Sequence, residues 1–130
     1  MKFAYTILYV RDVARSLAFY ESAFGLPRRF LHESGLYAEL ETGATTLAFA
    51  AESLAHANLA GGFQPADPAR PPAASEVAFA TEDVPAAYER ALGAGAAAAA
   101  APATKPWGQV VAYLRDPDGH LVELCTPMSP

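Results

Sequence analysis

The chain predicts an α+β fold built from two β-α-β-β-β modules in tandem, and three observations carry that expectation. The sequence states one unit twice: residues 5–16 read Y-T-I-L-Y-V-R-D-V-A-R-S and residues 76–87 read E-V-A-F-A-T-E-D-V-P-A-A. The two Asp-Val pairs, Asp12-Val13 and Asp83-Val84, lie 71 positions apart, the size of a supersecondary module rather than of a solenoid repeat. After each Asp-Val the pattern changes from strand to helix, and short strand-like segments separated by turn residues then follow.

Taken in order, Phe3–Val10 is rich in aromatic and β-branched residues and reads as a strand. Asp12 is suited to cap the next helix, because its carboxylate can accept the free amides of the first turn. That helix runs through Phe24, with Val13, Leu17 and Tyr20 at helical spacing and Ala14 and Ala18 expected on the same face. Gly25 offers a left-handed cap, and Pro27 prevents continuation. Strands are expected at Arg28–Glu33, Leu36–Glu41 and Thr45–Ala50, joined at Ser34-Gly35 and Thr42-Gly43. In the second of these, Glu39 and Glu41 alternate with apolar residues and read as a solvated strand face.

Residues 56–73 contain Gly61-Gly62, Pro65, Pro68, Pro71 and Pro72. They read as a linker between a first module, 1–55, and a second, 74–130, and as a candidate flap. Strand character returns at Glu76–Thr81. Asp83 caps a second helix that tolerates Pro85 in its first turn and ends at Gly93 or Gly95. The alanine run Ala96–Ala101 favours helix by propensity. The repeat and the flanking Gly93, Gly95 and Pro102 place a strand there instead. Gln109–Leu114 and His120–Cys125 complete the module, joined by the turn Asp116-Pro117-Asp118-Gly119.

The 130 residues suit a single domain, and 52% hydrophobic residues suffice for a core. A net charge of −5 argues against nucleic acid, which is held through Lys and Arg, and mildly favours neutral or cationic small molecules. Cys125 is the single cysteine, so no internal disulfide forms. It reads as a small buried hydrophobe in a reducing compartment. Phe3–Val10 is too short to span a membrane and lacks the features of a signal peptide, so the expected location is the cytoplasm.

The opening Y-V-R-D-V-A-R-S-L-A-F-Y-E-S-A-F-G-L and the closing R-D-P-D-G-H-L-V-E-L resemble the two ends of the glyoxalase/bleomycin-resistance/dioxygenase (vicinal oxygen chelate) superfamily. The resemblance covers nearly the whole chain. It implies a single domain whose modules form a curved, cup-like mixed sheet, and commonly a homodimer. Members with metal chemistry place ligands at four strand positions, the first and last strand of each module. The matching residues here are Tyr5, Ala48 (Leu47 in the neighbouring register), Glu76 and Glu123. Only the two glutamates are ordinary metal donors. Ala48 offers nothing, and a phenol titrates near 10. Enzyme metal sites usually need three protein ligands, so no metal and no other cofactor is expected. Any divalent ion would rest on Glu76 and Glu123. His32, His56 and His120 fall on no ligand position.

Strand alternation then predicts a ligand pocket of Tyr5, Ile7, Tyr9, Ala48, Glu76, Leu121 and Glu123, with Trp107 at its mouth. Three functions fit the resemblance. The first is a metal-independent binding protein that sequesters an antibiotic or metabolite. The second is a metal-dependent lyase or isomerase similar to glyoxalase I, or more remotely an extradiol dioxygenase. The third is a metal-free enzyme using Glu76, Glu123 or Tyr5 as acid or base.

Overall fold

The computed structural model describes residues 1–129; Pro130, the last residue of the expected second module, lies outside them. The protein is α+β, with two four-stranded mixed sheets and three helices among the described residues. Two compact units divide between Ala66 and Asp67.

In the first unit, β1 (Tyr5–Val10) leads into α1 (Val13–Phe24), followed by β2 (Arg28–Leu31), β3 (Tyr37–Leu40), β4 (Thr46–Ala51) and α2 (Glu52–Asn58). The sheet order is β1-β4-β3-β2, with β1 parallel to β4 and the other pairs antiparallel. Asp12 caps α1 by accepting from the Arg15 amide at 3.1 Å. Gly25 closes it at φ 67° and returns its N–H to the Glu21 carbonyl. The buried side of α1 is Val13, Ser16, Leu17, Phe19, Tyr20 and Ala23. Ala14 and Ala18 are exposed, contrary to the sequence expectation, because they lie about a quarter-turn from the Leu17–Tyr20 stripe. The Tyr20 ring meets Phe49 of β4 at 4.9 Å, which fixes the Phe49 side of the sheet as the helix-covered side.

The second helix of this unit was not expected. It has no side-chain cap at Ala51 and only seven residues, too few to show an apolar period. Glu52 in its first turn favours the helix dipole. Residues 56–58 of the expected linker are therefore helical.

The second unit repeats the order: β5 (Val77–Ala80), α3 (Val84–Gly93), β6 (Ala97–Thr104), β7 (Val110–Arg115) and β8 (Leu121–Cys125), with sheet order β5-β8-β7-β6. Asp83 caps α3 by accepting from Ala86 N at 3.1 Å, as Asp12 caps α1. The alanine run is a strand, and it continues through Pro102 to Thr104. The proline is tolerated because β6 is an edge strand whose register shifts between Ala100 and Ala103.

The closing motif has a structural explanation. Asp116 Oδ1 accepts the amides of Asp118, Gly119 and His120, each at 2.9 Å. Arg115 donates to the carbonyls of Gly119, Asp67, Pro68 and Arg70. The guanidinium thus ties residues 67–70, part of the expected flap, to the β7–β8 turn.

Candidate functional site

Register sorts the candidate residues by unit. On β1 and β4, Tyr5 lies opposite Thr46, Ile7 opposite Ala48 and Tyr9 opposite Ala50. All share the sheet face away from α1, as alternation required. Tyr5 is 52% and Ile7 44% exposed, unusual for large apolar side chains on a sheet. Tyr9 is half-buried, with its ring edge-on to Phe63 at 5.0 Å, and Phe63 in turn lies 4.4 Å from His56 of α2. The unexpected helix therefore closes the Tyr9 end of this face, while the Tyr5 end stays open.

The row through Ile7 and Ala48 continues to Glu39 on β3 and Phe30 on β2. Glu39 is only 6% exposed, so the expected solvated strand face is wrong for Glu39, while Glu41 is exposed. Its carboxylate accepts from Tyr37 Oη at 2.8 Å and lies 3.6 Å from Arg29 Nε. β4 is buried on both faces and β3 lies beside it, so alternation of glutamate with alanine and leucine did not mean alternation of water with core. Burial, then the bond to Glu39, pushes the Tyr37 phenol far above its ordinary range.

In the second unit the corresponding row is Ala78, Glu123, Tyr113 and Ala100. Ala78 follows Ile7 by the 71 positions of the repeat, so Ala48 and Glu123 occupy equivalent places, as do Glu39 and Tyr113. Each module thus carries one carboxylate hydrogen-bonded to a tyrosine, and the carboxylate sits one strand further over in the first.

Tyr113 Oη donates to Glu123 Oε1 at 2.9 Å. Glu76, just before β5, is on the same sheet face as Ala78, whose cross-strand partner is Glu123, and lies near that carboxyl. Partial burial, then the nearness and charge of Glu123, hold the Glu76 carboxyl above the ordinary range. The pair is therefore disposed to keep a proton. Leu121 lies two residues from Glu123 on the same face. Cys125, also on this face, is half-buried rather than buried. Its Sγ lies 3.9 Å from the Phe79 carbonyl. Burial, then Glu123, pushes its thiol up, which makes it a poor nucleophile. Trp107 stands at the β6–β7 hairpin, 62% exposed, and donates Nε1 to Gln109 Oε1 at 2.7 Å.

The four positions matched to family metal ligands do not fit a metal. Ala48 has no donor atom, and partial burial, then nearby Glu123, raise the Glu76 carboxyl, disfavouring the charged form a metal needs. Among the described residues no three His, Cys, Asp or Glu side chains could hold an ion. Nor is any helix long and apolar enough to cross a membrane.

Two β-α-β-β-β modules, each with an aspartate-capped helix and a carboxylate hydrogen-bonded to a tyrosine on the sheet face away from that helix, define a paired-module α+β fold. The chain belongs to the Glyoxalase/Bleomycin resistance protein/Dioxygenase superfamily, whose pattern matches residues 2–124. Among solved structures it is similar to a glyoxalase-related enzyme from Fulvimarina pelagi, at TM-score 0.83 and 22% identity, over 98% of this chain and 88% of that one. It is similar to a protein of unknown function from Agrobacterium tumefaciens str. C58, at TM-score 0.78 and 29% identity, over 98% and 95%. A glyoxalase/bleomycin resistance protein/dioxygenase family enzyme from Burkholderia phytofirmans PsJN matches at TM-score 0.78 and 22% identity, over 98% and 100%. No curated protein matches the chain.

Proposed function

We propose that the protein binds a flat, partly apolar small molecule, neutral or cationic, without a metal cofactor and without catalysis. One observation carries this reading. Where the family's metal chemistry needs a set of donors, Glu76 and Glu123 stand near each other and Tyr113 donates to Glu123. A carboxyl pair arranged in this way presents acceptor lone pairs and net negative charge to a ligand. The walls beside it, Ala78, Ala80 and Leu121, are apolar. Burial against such walls supplies affinity, and the acids select for a donor. An anionic thioether, such as a glutathione adduct, would be repelled. In the cell the protein would act as a cytoplasmic sequestering protein, working as a homodimer.

The test uses the emission of Trp107, the single tryptophan, on a panel of planar cations and their neutral analogues. The cations should shift the emission, and the double substitution Glu76→Gln with Glu123→Gln should weaken them more than the neutral compounds. If the panel leaves emission unchanged while added metal promotes turnover of glutathione adducts, the lyase reading replaces this one.

A further inference from the structure

We propose that Ser34, paired with His32 on the turn between β2 and β3, is a nucleophile that accepts an acyl group from a neutral, activated ester. The site stands on this turn alone and uses none of the residues of the Glu76–Glu123 reading.

Three short contacts define it. The Ser34 amide donates to His32 Nδ1 at 3.1 Å, the Leu36 amide donates to Ser34 Oγ at 3.1 Å, and Ser34 Oγ lies 2.8 Å from His32 Nδ1. An N–H aimed at Nδ1 requires that nitrogen to be an acceptor, so the ring proton sits on Nε2. The Ser34 hydroxyl is then the donor of the 2.8 Å contact, because Nδ1 has no hydrogen to give. Its proton is therefore already directed at a base, at the distance a nucleophile–base pair needs. The Leu36 amide takes one lone pair of Oγ and leaves the other for attack. The same amide steadies the negative charge that grows on Oγ as its proton departs.

The hairpin pre-arranges the pair. His32 N donates to the Tyr37 carbonyl and Gly35 N to the His32 carbonyl, each at 2.9 Å. Gly35 adopts φ 72°, the reversal that folds the turn back toward the imidazole. His32 and Ser34 are both exposed, and the space where a Cβ would stand on Gly35 is open, so a small ester can approach. Leu36, 39% exposed, offers apolar surface beside the hydroxyl. Glu33 on the same turn is exposed, and its charge opposes a phosphoryl donor, which carries negative charge, but not a neutral ester. In the reaction Oγ bonds the acyl carbon as its proton passes to His32 Nδ1. The bond from the acyl carbon to the departing oxygen then breaks. That oxygen takes the proton from Nδ1, leaving an ester on Ser34 and a free alcohol.

The test uses 4-nitrophenyl acetate, with acid quenching at short times and peptide mass mapping. Neutral hydroxylamine removes an acetyl ester from serine and leaves acetyl amides on lysine or the N-terminus. Wild type should carry a hydroxylamine-labile acetyl group on Ser34, and Ser34→Ala should lack it. His32→Asn keeps an acceptor for the Ser34 amide but has no base, and should slow labelling of Ser34 about a hundredfold. Wild type unfolded in urea should be slowed to a similar degree. Acetyl groups on amines alone, or labelling of Ser34 as fast in His32→Asn or in urea as in the native protein, overturns the proposal. Should either variant fail to fold, the comparison of native with urea-unfolded wild type decides.

Discussion

Tyr113 donates its phenolic hydrogen to Glu123 across neighbouring strands at 2.9 Å. The first module makes the same bond within one strand, from Tyr37 to Glu39 at 2.8 Å. The repeat preserves the chemical pair while exchanging its lattice positions: Glu39 stands where Tyr113 stands, and Ala48 where Glu123 stands. The bond to Glu123, then burial, holds the Tyr113 phenol up to about 12.

That bond predicts a late tyrosine ionisation. In Glu123→Gln the negative charge is gone, and Tyr113 should ionise nearer the ordinary phenol value of about 10, read by ultraviolet difference absorbance and assigned with Tyr113→Phe. Because the folded value is raised, the stability the bond contributes is present below the unfolded phenol value and is lost as pH rises through about 12. Tyr113→Phe should cost about 1 kcal/mol at neutral pH. An unchanged titration in Glu123→Gln would show that the charge is not the cause.

Glu76→Gln should stabilise the protein at neutral pH. The Glu76 carboxyl is raised by burial and by Glu123, so its ionised form is the disfavoured one in the folded state. Wild-type stability from this group is present below the ordinary carboxylate range and is lost as pH rises through the raised folded value. The variant keeps a hydrogen-bonding group and drops the charge. Its advantage should be under about 1 kcal/mol, since Glu76 is exposed and screened, and should vanish in acid and shrink with salt. Thermal melts across pH check this; a variant less stable at neutral pH rules out the like-charge account.

Protein purified without chelators should contain zinc, nickel and iron far below one per chain by elemental analysis, and Glu123→Gln should not alter that content. The reason is the donor set: an alanine stands at one of the four positions and a phenol at another, and among the described residues no three His, Cys, Asp or Glu side chains could hold an ion. Stoichiometric metal that disappears with Glu123→Gln would remove the argument for metal-independent binding.

The repeated Asp-Val pair made the modules legible, because helix capping is local chemistry that sequence displays directly: Asp12 and Asp83 each accept from the amide three residues on. Alternation could place Glu76 and Glu123 on one sheet face, but their nearness depends on the β5–β8 register, in which Ala78 lies opposite Glu123. Glu39 was illegible for a reason of scale. Its row, Ile7–Ala48–Glu39–Phe30, joins residues from four strands, and no local pattern states that both faces of β4 are covered. The short helix α2 was hidden likewise, with no capping side chain at Ala51 and a stabilising contact, His56 on Phe63, supplied by the chain beyond it.

Gly119→Ala should be among the most damaging single substitutions. Gly119 has φ 98°, where an L side chain is strained, and a Cβ there would sit 2.7 Å from Pro68 N and 2.8 Å from the Asp67 carbonyl carbon. Both neighbours are backbone and cannot rotate aside. The same carbonyl of Asp67 accepts from Arg115, whose guanidinium also reaches the Gly119 carbonyl. Alanine must therefore displace residues 67–68 and break the tie that Arg115 makes. The expected cost is about 2–4 kcal/mol, combining strain and lost hydrogen bonds, read as a lower denaturant midpoint. Arg115→Met should cost less, because the turn keeps the three amide bonds to Asp116, but should speed exchange of the Arg70 amide, which donates to the Asp67 carbonyl. If Gly119→Ala unfolds at the wild-type midpoint, the close packing of the turn against residues 67–68 is not what holds this unit together.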